Sequence, residues 1–188
     1  MLIFFNFDCV CAGQVVFILG YLVACAQGQD SPALAPVALS APELDRGVPV
    51  MRALKARRST RELADQPVSG RQLSELLWAA DGVNREGGHR TAPSAHAKYP
   101  VDIYVVLVEG VYRYDSSAHR LEPVVAGDHR DAAGEQAWEC NAPVNLVFVA
   151  DLARFDDPTG KMDVGRDDRM KWSSIETGCM AQNVYLYC

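Results

Sequence analysis

Five cations fall within ten residues between Arg52 and Arg61: Arg52, Lys55, Arg57, Arg58 and Arg61. Arg57, Arg58 and Arg61, with the Ser59 hydroxyl and nearby backbone N–H groups, are the donors that grip a phosphate by charge-assisted hydrogen bonds. The plainer reading is basic decoration of a helix C-terminus, which the helix dipole favours. Composition alone leaves both open. A second segment, Thr91-Ala-Pro-Ser-Ala95 followed by Tyr99-Pro100, is a loop of small side chains that lets a flat ring or another backbone approach closely. The same residues also suit a plain turn. The third segment runs from Glu176 through Gly178 to Gln182 and Asn183. A glycine inside a helix costs about 1 kcal/mol against alanine, so Gly178 asks for close packing or a bound ligand. Gln182 and Asn183 need partners if buried. Packing alone could explain all three.

Other catalytic patterns are missing. The sequence holds no HExxH, nucleophile elbow, Walker A or GxGxxG opening a βαβ unit. Asp156-Asp157 and Asp167-Asp168 read as solvated turn residues, and four scattered histidines do not make a metal centre. If this chain is an enzyme, its hard chemistry belongs to a cofactor. A formal charge of −6 argues against a nucleic-acid binder, because phosphate-backbone binding needs surplus Lys and Arg.

The elements that must position these residues are legible from spacing. With 188 residues, 49% hydrophobic and 22% charged, the chain suits one ordinary domain. Residues 1–26 carry only Asp8 as a charge and end in the apolar run Val15–Ala24. Ala24-Cys25-Ala26 fits a signal-peptidase site and Leu22-Val-Ala-Cys25 a lipoprotein-type leader, although no Lys or Arg precedes the run. Export follows, to the periplasm or a lipid anchor, with a cytoplasmic protein as the outcome of a misassigned start. Three cysteines lie in this leader. The other three, Cys140, Cys179 and Cys188, make neither a disulfide framework nor a zinc site, and Cys140 and Cys179 read as small buried apolar residues. Residues 27–47, rich in Ala and Pro, read as an extended linker.

A first helix is predicted from Val48 to Arg58. A second starts at Ser69, where Ser69-Gly-Arg-Gln72 fits a capping box, and Gly82 is placed to stop it. Val101–Val108 and Val111–Tyr114 read as a hairpin around Glu109-Gly110, with Leu121–Val125 as an edge strand because of Pro123. Asp128 to Trp138 looks helical, Val144–Ala150 is a buried strand, residues 151–168 form a polar loop, and a last helix runs from Arg169 to the end. Helices around a few mostly antiparallel strands give an α+β sandwich.

In this order the segments resemble the nitroreductase superfamily of flavoenzymes, most closely its SagB/ThcOx-type branch and exported nitroreductase-domain proteins. The resemblance covers residues 48–188. Its carriers are Arg57-Arg-Ser-Thr-Arg61, the helix Leu73 to Arg85, Arg90-Thr-Ala-Pro-Ser-Ala95 with Tyr99-Pro100, and Glu176-x-Gly178 with Gln182-Asn183. It implies a nitroreductase-like α/β/α sandwich with a mostly antiparallel central sheet flanked by helices. It also implies FMN held at a homodimer interface, with NAD(P)H as electron donor and a small nitro, quinone or aromatic acceptor. Arg57, Arg58, Ser59 and Arg61 would hold the FMN phosphate. Pro93, Ser94 and Ala95 would line the isoalloxazine edge from the partner protomer, and Gln182 would face the pocket or the dimer seam. No dedicated catalytic side chain and no metal ligand is implied, and membrane contact would come only through the leader. Ala97 and Tyr99 stand where classical members carry Asn and Gln, and His96 stands where the branch pattern has Gly. The family pattern continues past Cys188 with a glycine-containing loop, a strand and a partner-embracing tail, so the C-terminal part is expected to be missing. Two alternatives remain: an azoline or peptide dehydrogenase of SagB/ThcOx type, and a non-catalytic nitroreductase-like binding domain.

Overall fold

A computed structural model describes residues 4–5, 33–62, 66–134, 136–159 and 163–188. Apart from Phe4 and Phe5, the leader and the start of the linker lie outside the described residues. The central sheet has six strands: β1 (Phe4–Phe5), β2 (Val37–Ala38), β5 (Val101–Val106), β6 (Gly110–Asp115), β7 (Arg120–Ala126) and β8 (Asn145–Ala150). Their order is β1-β8-β5-β6-β7-β2, antiparallel throughout except for the β1–β8 pair. A small hairpin, β3 (Val83–Arg85) with β4 (His89–Arg90), stands apart.

Among the described residues five α-helices surround the sheet: α1 (Val50–Ala56), α2 (Gly70–Asp81), α3 (Arg130–Ala133), α4 (Ala137–Cys140) and α5 (Arg166–Tyr187). The capping box at the start of α2 forms as the sequence predicts. Ser69 Oγ accepts from the Gln72 amide, and Gln72 Oε1 accepts from the Ser69 amide at 2.9 Å. Leu73, Leu76, Leu77 and Ala80 then face the sheet and are buried. They meet Val101, Ile103 and Val105 of β5, Tyr114 of β6, Leu121 of β7, and Met180 and Val184 of α5 in one core. A smaller cluster of Val106, Val111 and Val125 lies apart, with Ala133 of α3 packed on it. Gly82 ends α2 with an ordinary φ of −72°, and its reason is space, because a Cβ there would overlap the Trp78 ring.

Some elements differ from their predicted form. The strand at 120–126 is not an edge along its whole length, because β2 pairs with it at Arg120 and Leu121, but that pairing stops short of Pro123. The described part of the linker is extended but docked: Leu34 and Leu39 pack against the core, and the Leu39 amide donates to His119 O at 3.1 Å. Ser74 Oγ donates to Ser40 O at 2.5 Å, with His119 Nε2 beside both and Tyr114 Oη on its Nδ1 at 2.8 Å. The predicted helix at 128–138 is two short turns, α3 and α4. The polar loop after β8 contains a 3-10 turn at Leu152–Phe155, and α5 starts at Arg166 because Arg169 donates back to Val164 O and Leu152 O.

Candidate functional site

The cationic segment begins where α1 ends. Arg57 caps α1 through its amide to Ala53 O, and Arg57, Arg58, Ser59 and Arg61 are all exposed. The Arg57 guanidinium lies 5.7 Å from the centroid of the Tyr185 ring on α5. Among the described residues no ion pair engages Arg57, Arg58 or Arg61. Among the described residues these cations therefore have no carboxylate partner, which is what a phosphate-bearing group requires of its cradle.

Helix α5 carries two stripes at helical spacing. Ser173, Glu176, Met180 and Val184 are buried against the sheet and α2. On the other stripe lie Ile175, which is exposed, then Gly178, Gln182 and Tyr185. A Cβ at Gly178 would meet nothing within 4 Å outside its own helix turn. Close packing by the described residues is therefore not the reason for this glycine. The stripe leads along α5 to Tyr185 and the Arg57 guanidinium, with Gln182 half-buried on the way.

The small-residue loop folds against the other end of α5. Ser94 Oγ accepts the Tyr99 N–H at 2.8 Å, the Ala97 amide donates to Ser94 O, and Arg154 donates to Tyr99 O at 2.7 Å. The Arg90 guanidinium stacks on the Tyr99 ring at 4.3 Å. His96, Ala97 and Tyr99 have φ of 54°, 52° and 46°, in the left-handed region that favours glycine. That explains the glycine of the resembled pattern at position 96. The His96 ring instead lies 5.3 Å from Trp172, which in turn lies 5.8 Å from Phe155. Pro93 is exposed, while Ser94 and Ala95 are half-buried.

The structure therefore sorts the predicted site residues into two groups. Gln182 joins Arg57, Arg58, Ser59 and Arg61 near the C-terminal end of α5, whereas Pro93, Ser94 and Ala95 sit at its N-terminal half. Ser94 lies beside Glu176 at the middle of α5, nine residues and about 14 Å of helix rise before Tyr185 at 1.5 Å per residue.

Under the loop lies a buried charged cluster that spacing gives no sign of. Asp81 accepts from Arg90 and, at 2.9 Å, from Ser116 Oγ on one oxygen, and its other oxygen has no partner. Burial pushes its carboxyl up to about 6, against the pull of Arg90. Arg154 pairs with Asp102 at 2.5 Å. These groups, with Arg113, line an open cleft of about 220 Å³. Glu176 is 2% exposed, and burial pushes its carboxyl up to about 7. Composition could not have singled out Asp81, because only the fold buries it. Among the described residues no cluster of His, Cys, Asp and Glu could hold a metal ion, and no helix is long and apolar enough to cross a membrane.

The nitroreductase family model matches residues 54–188. A provisionally named nitroreductase of Methanocaldococcus jannaschii is 37% identical over 140 residues, 69% of this chain and 68% of its own. Among solved structures, a provisionally assigned nitroreductase from Ralstonia eutropha JMP134 is 43% identical with a TM-score of 0.73, covering 84% of this chain and 74% of its own. The E. coli microcin synthetase McbBCD complex, with truncated pro-MccB17 bound, shares the fold at 19% identity and a TM-score of 0.54, covering 90% of this chain and 66% of the matched one.

Proposed function

The chain belongs to the nitroreductase family of oxidoreductases, and on that premise we propose that it is an FMN-dependent member of it. When bound, the flavin supplies the hydride chemistry between NAD(P)H or another donor and a small nitro, quinone or aromatic acceptor. The protein supplies grip and orientation. Arg57, Arg58 and Arg61, with Ser59, hold the phosphate as charge-assisted donors, and the Tyr185 ring face lies 5.7 Å from the Arg57 guanidinium. Gln182 offers an amide along the stripe that Gly178 leaves open to a ring or a second chain. The observation that carries this reading is the set of exposed cations, without a carboxylate partner among the described residues, at the end of that open stripe.

A homodimer is part of the same reading. A second copy would bring its Pro93-Ser94-Ala95 loop to the ring while the first holds the phosphate. The exposed apolar residues of α1, Val50 and Met51, and Ile175 of α5 suit such an interface. Export through the N-terminal leader is part of the same reading and rests on the sequence; the N-terminal mass of protein recovered from cell fractions checks it.

The test is a visible absorption spectrum of the purified chain after FMN addition and desalting. A retained flavin band is expected, and it is expected to vanish in Arg57→Ala/Arg61→Ala while the fold stays intact. Unchanged flavin retention in the double variant would remove the phosphate assignment. Colourless, folded wild-type protein would favour a non-catalytic binding domain.

A further inference from the structure

Tyr99 is tied down at its amide, its carbonyl, its hydroxyl and its ring. The amide donates to Ser94 Oγ at 2.8 Å, and the carbonyl accepts from Arg154 Nη1 at 2.7 Å. The hydroxyl lies 3.4 Å from His89 Nδ1, and the Arg90 guanidinium carbon lies over the ring, 4.3 Å from its centroid. Both arginines are themselves held by aspartates, Arg154 by Asp102 and Arg90 by Asp81. Asp81 is 2% exposed at the end of α2, and the oxygen that takes Arg90 also accepts from Ser116 Oγ at 2.9 Å. Neutralising such a carboxylate needs only a positive charge, which a lysine would bring. A guanidinium does more. Its N–H bonds lie in its plane, so it can donate to a carboxylate and still offer a face to a ring. The loop needs such ties, because His96, Ala97 and Tyr99 stand at positive φ, a backbone state that persists only where its surroundings hold it.

We propose that Arg90 is a positioning residue: Asp81 fixes its guanidinium, the guanidinium holds the Tyr99 ring, and Tyr99 through its amide sets the Ser94 hydroxyl and the Pro93–Ala95 segment. The relay runs from the end of α2 through β4 to the loop, and each link is a contact in the structure. Asp81 belongs to it because an unheld guanidinium would swing to solvent, where Arg90 is already 18% exposed. Without the ring contact, Tyr99 keeps its carbonyl tie to Arg154 but is free to relax from its left-handed φ, which draws its amide away from Ser94 Oγ. Only what the loop serves, the edge of a flavin ring, rests on the function proposed above; the relay itself is a property of the flavin-free chain.

The test is chemical rescue. Asp81 and Arg90 both line the open cleft of about 220 Å³, so truncating Arg90 leaves a place that free guanidinium ion can enter from solvent. The reporter is the Tyr99 amide resonance in ¹H–¹⁵N spectra of the flavin-free protein. In Arg90→Ala it is expected to leave its hydrogen-bonded position. Millimolar guanidinium is expected to restore it saturably, whereas urea, similar in size and uncharged, restores nothing. In Asp81→Ala/Arg90→Ala, which leaves no unpaired carboxylate at this place, guanidinium is expected to restore nothing either. Arg90→Lys keeps a charge beside Asp81 and so protects the fold, yet it is expected to lose the bonded position as Arg90→Ala does. A Tyr99 amide unmoved in Arg90→Ala, rescue by urea, rescue without Asp81, or a wild-type resonance in Arg90→Lys overturns the proposal. The last would reduce Arg90 to a counter-ion of Asp81. In the FMN-loaded protein, turnover of NAD(P)H with a quinone is expected to fall about tenfold in Arg90→Ala and to return with guanidinium, at unchanged flavin retention. Turnover absent throughout, with the rescue of the resonance intact, would count against the proposed function and leave the relay standing.

Discussion

Arg57 differs from its cationic neighbours in already being placed. Its guanidinium rests 5.7 Å from the Tyr185 ring centroid, whereas Arg58 and Arg61 project into solvent. A guanidinium held near a ring face loses less freedom when it binds phosphate, and a lysine cannot bind with two parallel bonds. Arg57→Lys is therefore expected to weaken FMN binding about tenfold, the order of one charge-assisted bond. Thermal stability should not change, because the side chain buries nothing in the core. Fluorescence titration of FMN checks this, with Arg113→Ala as an exposed cation expected to have no effect. At this scale the sequence was most informative: the run from Arg57 to Arg61 and the residues Gly178 and Gln182 are visible as letters. Glu176 was visible only as part of a motif, and Asp81 not at all, because their chemistry comes from burial that no single position announces.

At the scale of elements, α2 is where local signals and packing agree. Its capping box satisfies two amides that would otherwise be unpaired, and four apolar residues at helical spacing reach the sheet. Ser69→Ala should cost about 1 kcal/mol, or about 2–4 °C in Tm for a domain of this size. Leu76→Ala, at a fully buried position, should cost about 2–5 kcal/mol. Chemical denaturation measures both, and equal costs would mean that the cap carries more than its two bonds. The elements read less well were those whose form depends on neighbours. Pro123 marks an open side of β7 only locally, since β2 pairs with the same strand at Arg120 and Leu121. The sequence predicts one helix from Asp128 to Trp138, yet the described chain turns twice, with Gly134 in extended backbone between the turns. The start of α5 moved because Arg169 reaches back to the carbonyls of Val164 and Leu152, a contact that spacing does not encode.

For the whole molecule, the buried carboxyls govern how stability depends on pH. Asp81 is raised from 3.8 to about 6 and Glu176 from 4.5 to about 7. Between about pH 4 and 7 the native state therefore binds more protons than the unfolded chain, and stability falls as pH rises through that window. Asp128, held down by Arg130, acts in the opposite direction but below its ordinary 3.8, outside the window. The urea midpoint is expected to be lower at pH 8 than at pH 5.5, and Glu176→Gln is expected to flatten the difference. A midpoint that rises over this range would mean that other groups outweigh both carboxyls. The docked strap at Val37–Ser40 adds a second whole-molecule feature. It closes the β7 side of the sheet through Ser40, Ser74, His119 and Tyr114.

What the sequence determined by itself is what its local spacing encodes. That covers the cap and apolar face of α2, the hairpin around Glu109-Gly110, the cationic run, the small-residue loop and the family they indicate together. Each needs only neighbours within a few residues, so each can be read in order along the chain. Tertiary structure decided the relations between distant segments. It put the cations at the C-terminal end of one helix and the loop against its first half, buried Asp81 and Glu176 beneath that loop, and left Gly178 open outside its own helix turn. Distance, desolvation and open space are properties of the folded arrangement, so no residue carries them in its letter.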